Sequence, residues 1–238
     1  QGSREYQLGG VESRMSTAKK LTSEFIGTFL LVFAVGCNTV STASGTWAAL
    51  SIASTLMVAI YALGSVSGAH FNPAVTLAYF LSGEDKDFTG ADVGAYMGTQ
   101  LVAGAAAGLS SLALHGEAAN LQPGAGYSYG GAAAAEIAYT FMLCFVVLRA
   151  AVIVQKEYFG LAIGFVIVAM GNAIGMVSGG SLNPAVSFGI DTAYAMKGGT
   201  WMNCLAYSAF EFVGAGLAAG AFMVTQDQEF SKGSKLVN

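Results

Sequence analysis

Charge is scarce in this chain: Lys, Arg, Asp and Glu make up 10% of its 238 residues, whereas 54% are hydrophobic. That balance excludes an ordinary soluble domain and points to the bilayer as solvent. Cysteine is nearly absent, and Cys37, Cys144 and Cys204 all fall within apolar stretches, where a free thiol behaves as a small hydrophobe. A disulfide framework is therefore not expected, nor is a cysteine metal site. The two histidines, His70 and His115, are not at ligand spacing, and no nucleophile is paired with a base. The sequence thus offers an enzyme nothing to work with, and implies no metal, no cofactor and no nucleic-acid partner. Residues 1–20 are polar and contain Gly and Ser, without the pattern of a cleavable signal peptide. Proline is rare as well, with three in all, yet Pro73 and Pro184 stand in identical tetrapeptides.

A membrane helix needs about 20 mostly apolar residues to cross roughly 30 Å of hydrocarbon. Six stretches qualify, at about 24–42, 47–65, 92–113, 131–153, 159–178 and 201–223. Arg4, Arg14, Lys19, Lys20, Lys86, Arg149, Lys156, Lys232 and Lys235 fall on one side of these spans, and Lys197 alone on the other. The bias places both termini in the cytosol. The expected layout is a polar cytosolic segment at 1–20, one channel domain at 21–225 and a second polar cytosolic segment at 226–238.

Asn72-Pro73-Ala74-Val75 and Asn183-Pro184-Ala185-Val186 are 111 residues apart. The match runs outward, GSVSGAHFNPAVT from Gly64 overlying GMVSGGSLNPAVS from Gly175. Upstream, EFIGTFLL from Glu24 overlies EIAYTFML from Glu136 at an offset of 112. Two markers at nearly one offset indicate duplication, with repeats at about 21–115 and 131–225. Each half holds three spans, an odd number, so the second copy enters the membrane from the opposite face. Such inverted repeats place the working site near the midplane.

The apolar stretch after each tetrapeptide is only about ten residues, or about 15 Å of helix. Two such half-helices, entering from opposite faces, meet tip to tip at the Asn-Pro pairs. Asn is a favoured N-cap and Pro suits the first helical position. Both positive dipole ends then converge at mid-membrane, flanked by two Asn amides. Irregular backbone at that depth needs a wet cavity or protein around it, and a pore provides both.

Two Asn-Pro-Ala motifs, each preceded by Ser-Gly (Ser67-Gly68 and Ser178-Gly179), together with the paired Glu24/Thr28/Leu31 and Glu136/Thr140/Leu143 signatures, resemble the aquaporin (major intrinsic protein) family. The resemblance implies an all-α membrane protein of six transmembrane helices and two re-entrant half-helices. It also implies a homotetramer with one pore per subunit, and passive conduction of water or small uncharged solutes. Carried over, Asn72 and Asn183 donate to the passing solute. The stretches Gly68, Ala69, His70 and Gly179, Gly180, Ser181, expected to be extended, offer carbonyls to the pore. His70 is alternatively a loop-packing histidine. A selectivity filter falls on Ile52, Gly171 or Asn172, Gly180 and Val186. Most members carry Arg at the Val186 position, so a wide, apolar filter passing water with glycerol, urea or ammonia is implied. The alternatives are a glycerol or urea facilitator with low water flux and a coupled secondary transporter. Val186-Ser187-Phe188-Gly189 is similar to the tonoplast (vacuolar) branch, which leaves plasma membrane and a vacuole-like organelle both open.

Glu24 and Glu136 lie at intramembrane depth, where a carboxyl by default reads as functional. The resemblance instead has them holding the carbonyls of the re-entrant loops. Glu211 has no evident repeat partner and is expected at a subunit interface or lining the pore. Gly104/Gly108 and Gly216/Gly220 suit close helix crossings, and Trp47, Tyr158 and Trp201 read as interface anchors. The 116–130 connection, with Pro123, is expected to form the outer vestibule loop.

Overall fold

A computed structural model of the chain describes residues 15–41, 45–152 and 158–225. Arg4, Arg14, Lys156, Lys232 and Lys235 lie outside the described residues, as do most of the two polar end segments. Among the described residues, eight α-helices follow in order: α1 Thr17–Val40, α2 Ala48–Ser67, α3 Pro73–Ser82, α4 Gly90–His115, α5 Tyr129–Val152, α6 Phe159–Ser178, α7 Pro184–Met196 and α8 Asn203–Thr225. α1, α2, α4, α5, α6 and α8 are long and apolar enough to cross a membrane. α3 has 10 residues and α7 has 13, three more than expected, so at about 1.5 Å per residue they cover about half and about two thirds of a core roughly 30 Å thick. Large apolar side chains such as Val102, Phe165 and Leu217 remain exposed on the outer faces of the long helices, as lipid contact requires.

The two halves pack alike. α1 rests on α2 and α4 as α5 rests on α6 and α8, and α2 meets α6 between the halves. The half-helices are exchanged: α3 packs on α8 and α7 on α4. Each repeat therefore completes the other's wall, and neither half buries its apolar faces alone.

Local chemistry sets the boundaries. α2 and α6 end at Gly68 and Gly179, both left-handed (φ 91° and 88°), a conformation that glycine adopts without steric cost. Thr89 and Asp92 form a reciprocal capping box at the start of α4. A Cβ at Gly104 would collide with the carbonyl of Ala185, and one at Gly108 with the carbonyl of Gly189, so α4 and α7 meet backbone to backbone. Gly108→Ala should lower stability by about 1–3 kcal/mol, as overpacking does, read as a lower melting temperature in detergent. The expected Gly216/Gly220 crossing is not found, since a Cβ at either would meet nothing within 4 Å. The face of α8 that meets α5 lies on roughly the opposite side of the helix, through Gly214, whose added Cβ would stand 2.7 Å from the Ile137 carbonyl.

Trp47 and Tyr158 are well exposed, and Trp201 donates its indole N–H to Thr192 Oγ1 at 3.3 Å. The 116–130 connection packs on the end of α6, with Gly124 N donating to the Val177 carbonyl at 3.0 Å.

Candidate functional site

α3 and α7 begin alike. Asn72 and Asn183 are extended, and the side-chain oxygen of each accepts from the backbone N–H two residues on, at 2.8 and 2.9 Å. Pro73 and Pro184 follow at the first helical position, and Ala74 and Ala185 are fully buried. The amide nitrogens cross between repeats: Asn72 Nδ2 donates to the Leu182 carbonyl at 2.8 Å and Asn183 Nδ2 to the Phe71 carbonyl at 2.9 Å. Each tip is thus pinned to the loop that precedes the other. A primary amide carries two N–H bonds, so one on each Asn is left over, and both residues line the central cavity. Capping a helix and offering a donor are compatible in one side chain.

The loops before the tips are not extended as expected. Left-handed residues recur along them: Gly68, Ala69 (φ 55°) and Phe71 (φ 49°) in one, Gly179, Gly180 (φ 66°) and Leu182 (φ 53°) in the other. Ala69, Phe71 and Leu182 carry side chains, and such conformations cost of order 1–3 kcal/mol each unless their surroundings hold them. Buried carboxyls do so. Glu24 accepts from Ser67 Oγ (2.6 Å), His70 N (3.0 Å), Phe71 N (2.7 Å) and Gln100 Nε2 (2.8 Å). Glu136 accepts from Ser181 N (3.1 Å) and Leu182 N (2.8 Å). The carboxyls therefore hold N–H groups rather than carbonyls, because an ionised carboxylate can only accept.

Around them lies a duplicated network that motif reading missed. Tyr96 Oη donates to the Ser67 carbonyl at 2.9 Å, and Tyr207 Oη to the Ser178 carbonyl at 2.7 Å. His70 Nδ1 lies 3.1 Å from Thr76 Oγ1, and Ser181 shares a 2.7 Å hydrogen bond with Ser187. Gln100 Nε2 donates to Thr76 Oγ1 at 3.0 Å, and Ser187 Oγ donates to Glu211 Oε1 at 2.9 Å. Glu211 is thus at neither a subunit interface nor the pore: it is fully buried, does not line the cavity, and has Gln100 as its repeat counterpart. The 111-residue offset already contained this signal, which a change of residue type concealed.

Two cavities, each ≈ 400 Å³, lie along the axis between the helices. One runs from the α1–α2 end of the molecule past Asn183 and Asn72; the other opens beside Lys20, Asp85 and Phe88. Ile60, Ala69, His70, Val147 and Ile163 line both cavities, so the two adjoin at these residues. His70 combines both roles weighed for it: its ring packs among Tyr79, Phe88 and Tyr96 at centroid distances of 4.9–5.6 Å, and it borders both cavities.

Ile52, Gly171, Asn172, Gly180 and Val186 all border the first cavity, as do Ala69, Gly179 and Ser181, whereas Gly68 borders the second. The span-five positions supply little beside Gly180. A Cβ at Gly171 would face Ala49 of α2 at 2.5 Å, and exposed Asn172 donates Nδ2 to its own helix at the Val168 carbonyl, 2.9 Å away. The α6 side chain that reaches Gly180 is Met170, buried and bordering the same cavity. Among the described residues, no three His, Cys, Asp or Glu side chains come together as a metal site.

The family model described as major intrinsic protein matches residues 12–222. A probable aquaporin, AqpM, of Archaeoglobus fulgidus is 34% identical, covering 86% of this chain and 96% of its own. Aquaporin AqpM of Methanothermobacter marburgensis is 33% identical with the same coverage. The fold matches the crystal structure of an aquaglyceroporin from Plasmodium falciparum with a TM-score of 0.76 at 21% identity, covering 89% of this chain and 97% of that one. On sequence and fold together, this integral, multi-pass membrane protein belongs to the major intrinsic protein family, whose members are channels rather than enzymes.

Proposed function

We propose that the chain is a passive channel for water that also admits small neutral solutes such as glycerol, urea and ammonia. The observation that carries this reading is the pair of cavities that adjoin at shared residues, with Asn72 and Asn183 bordering the first and no charged side chain at Ile52, Gly180 or Val186. An ion entering there would lose its hydration without receiving a compensating charge. A neutral solute would meet apolar walls, two free amide N–H groups and backbone carbonyls, enough to replace a few hydrogen bonds at a time. The convergent N-termini of α3 and α7 set a positive potential that opposes cations and protons.

Within this reading Asn72 and Asn183 are the central donors, and Ala69, His70, Gly179, Gly180 and Ser181 line the path beside them. The chain works as a homotetramer with one pore per subunit, both termini in the cytosol, in the plasma membrane or a vacuole-like organelle. The test is a stopped-flow panel of water, glycerol, urea and ammonia on reconstituted protein. Linear, weakly temperature-dependent water flux with passage of at least one solute is expected. Swelling in water alone would remove the solutes from the reading, and saturable, ion-dependent uptake would replace the channel with a transporter.

A further inference from the structure

We infer that Met170, on α6, sets the solute size limit of the pore by filling the space that Gly180 leaves empty. This rests on the channel reading above. A Cβ built on Gly180 would overlap Met170 Sδ and lie 3.2 Å from Cε and 3.6 Å from Cγ. The thioether therefore occupies the volume where a side chain at position 180 would begin. Both residues border the cavity that contains Ile52, Asn183 and Val186, and Met170 is 6% exposed, its side chain enclosed between helices. Gly171 has no side chain, and the Asn172 amide is turned back on its own helix. Met170 is thus the α6 side chain that narrows the passage at this level.

The residue type matters. Methionine is unbranched and turns about three bonds, so it fills irregular gaps and yields to what presses on it. A filter walled by Ile52, Val186 and a methionine has two stiff β-branched sides and one soft side. Water passes with the thioether at rest, and a larger solute passes by displacing it.

Wild type, Met170→Leu, Met170→Ala and Met170→Cys are reconstituted in liposomes, and glycerol and water permeabilities are measured by stopped flow. Removal of the obstruction in Met170→Ala should raise the glycerol-to-water ratio at least about tenfold, the low end of what a missing methylene gives in an apolar site. Met170→Leu conserves volume and should stay near the wild-type ratio. Met170→Cys opens the path, and methyl methanethiosulfonate then closes it. The cysteine thiolate attacks the sulfenyl sulfur, an S–S bond forms, and methanesulfinate leaves. The product, with two sulfurs and a methyl beyond Cβ, has nearly the shape of methionine, so the ratio should return to the wild-type value and rise again on reduction.

Cys37, Cys144 and Cys204 do not border the cavity, so treated wild type is the reagent control. An unchanged ratio in both Met170→Ala and unmodified Met170→Cys, beside a conducting wild type, overturns the inference and leaves the channel reading standing. A wild type that passes neither water nor solute overturns both. A wild type that passes water alone, with glycerol passage gained in Met170→Ala, removes only the solute range proposed above and supports the role of Met170.

Discussion

Glu24→Leu should yield no folded channel. Leucine matches the glutamate roughly in size and suits the apolar depth of α1, so on hydrophobicity alone the exchange should be harmless. Hydrogen bonding decides otherwise. Four donors converge on this carboxyl, from Ser67, His70, Phe71 and Gln100. A buried donor left without an acceptor costs about 1–3 kcal/mol, so the exchange forfeits at least about 4 kcal/mol from the lost partners alone. Total stabilities are about 5–15 kcal/mol. The loss also frees Phe71, whose left-handed backbone (φ 49°) is held through its N–H. With Phe71 released, its carbonyl no longer receives the Asn183 amide in place, and the second tip loosens with the first. The variant should elute as aggregate on size-exclusion chromatography in detergent, whereas Glu24→Gln, which keeps one acceptor oxygen, should retain a monodisperse fraction with a lower melting temperature. A monodisperse Glu24→Leu with wild-type melting would show that the carboxyl does not hold the loop.

The architecture was legible in the sequence because it is written twice. The Asn-Pro-Ala-Val pair located both half-helices, and the Glu24/Glu136 pair fixed the repeat. Legibility ended where the copies diverge or where three-dimensional register decides. Gln100 and Glu211 share one position and each contacts a half-helix hydroxyl, Thr76 or Ser187, but an amide and an acid do not look alike in a string of letters. Their surroundings differ accordingly: Gln100 Nε2 donates to Glu24, whereas Glu211 Oε2 has no hydrogen-bond partner among the described residues.

The left-handed turns at Phe71 and Leu182 were invisible for another reason. Neither residue type prefers that conformation, which the buried carboxyls and crossed Asn amides impose from elsewhere in the fold. Gly216 and Gly220 have the spacing of a helix crossing but lie roughly opposite the face that crosses, and spacing alone cannot tell one face from another. Met170 escaped in the same way, because a rotation of about 100° per residue on α6 decides whether 170, 171 or 172 reaches Gly180.

Val186→Arg should cut glycerol and urea permeability at least about tenfold, a barrier increase of about 1.4 kcal/mol, while water flux remains measurable. Val186 is the third residue of α7 and borders the cavity with Ile52 and Gly180. Its side chain ends two bonds from the backbone and has no polar atom. Arginine extends much further and brings five N–H donors, for which the flanking Ile52 offers no acceptor and Met170 only a weak thioether sulfur. The guanidinium must then be satisfied by loop carbonyls and by water in the cavity. Either way it takes up cross-section, and a three-carbon polyol has to displace it, whereas a single file of water can hydrogen-bond past it. The added positive charge also stands at the N-terminus of α7, where it reinforces the half-helix dipoles against cations. A cation there opposes that dipole, at a cost of about 0.3–1 kcal/mol, so the variant should melt slightly lower yet remain folded. The measurement is the solute-to-water permeability ratio in liposomes, with the melting temperature as the folding control. A folded variant with full glycerol and urea flux would remove Val186 from the filter, and the permissive pore would then need another cause.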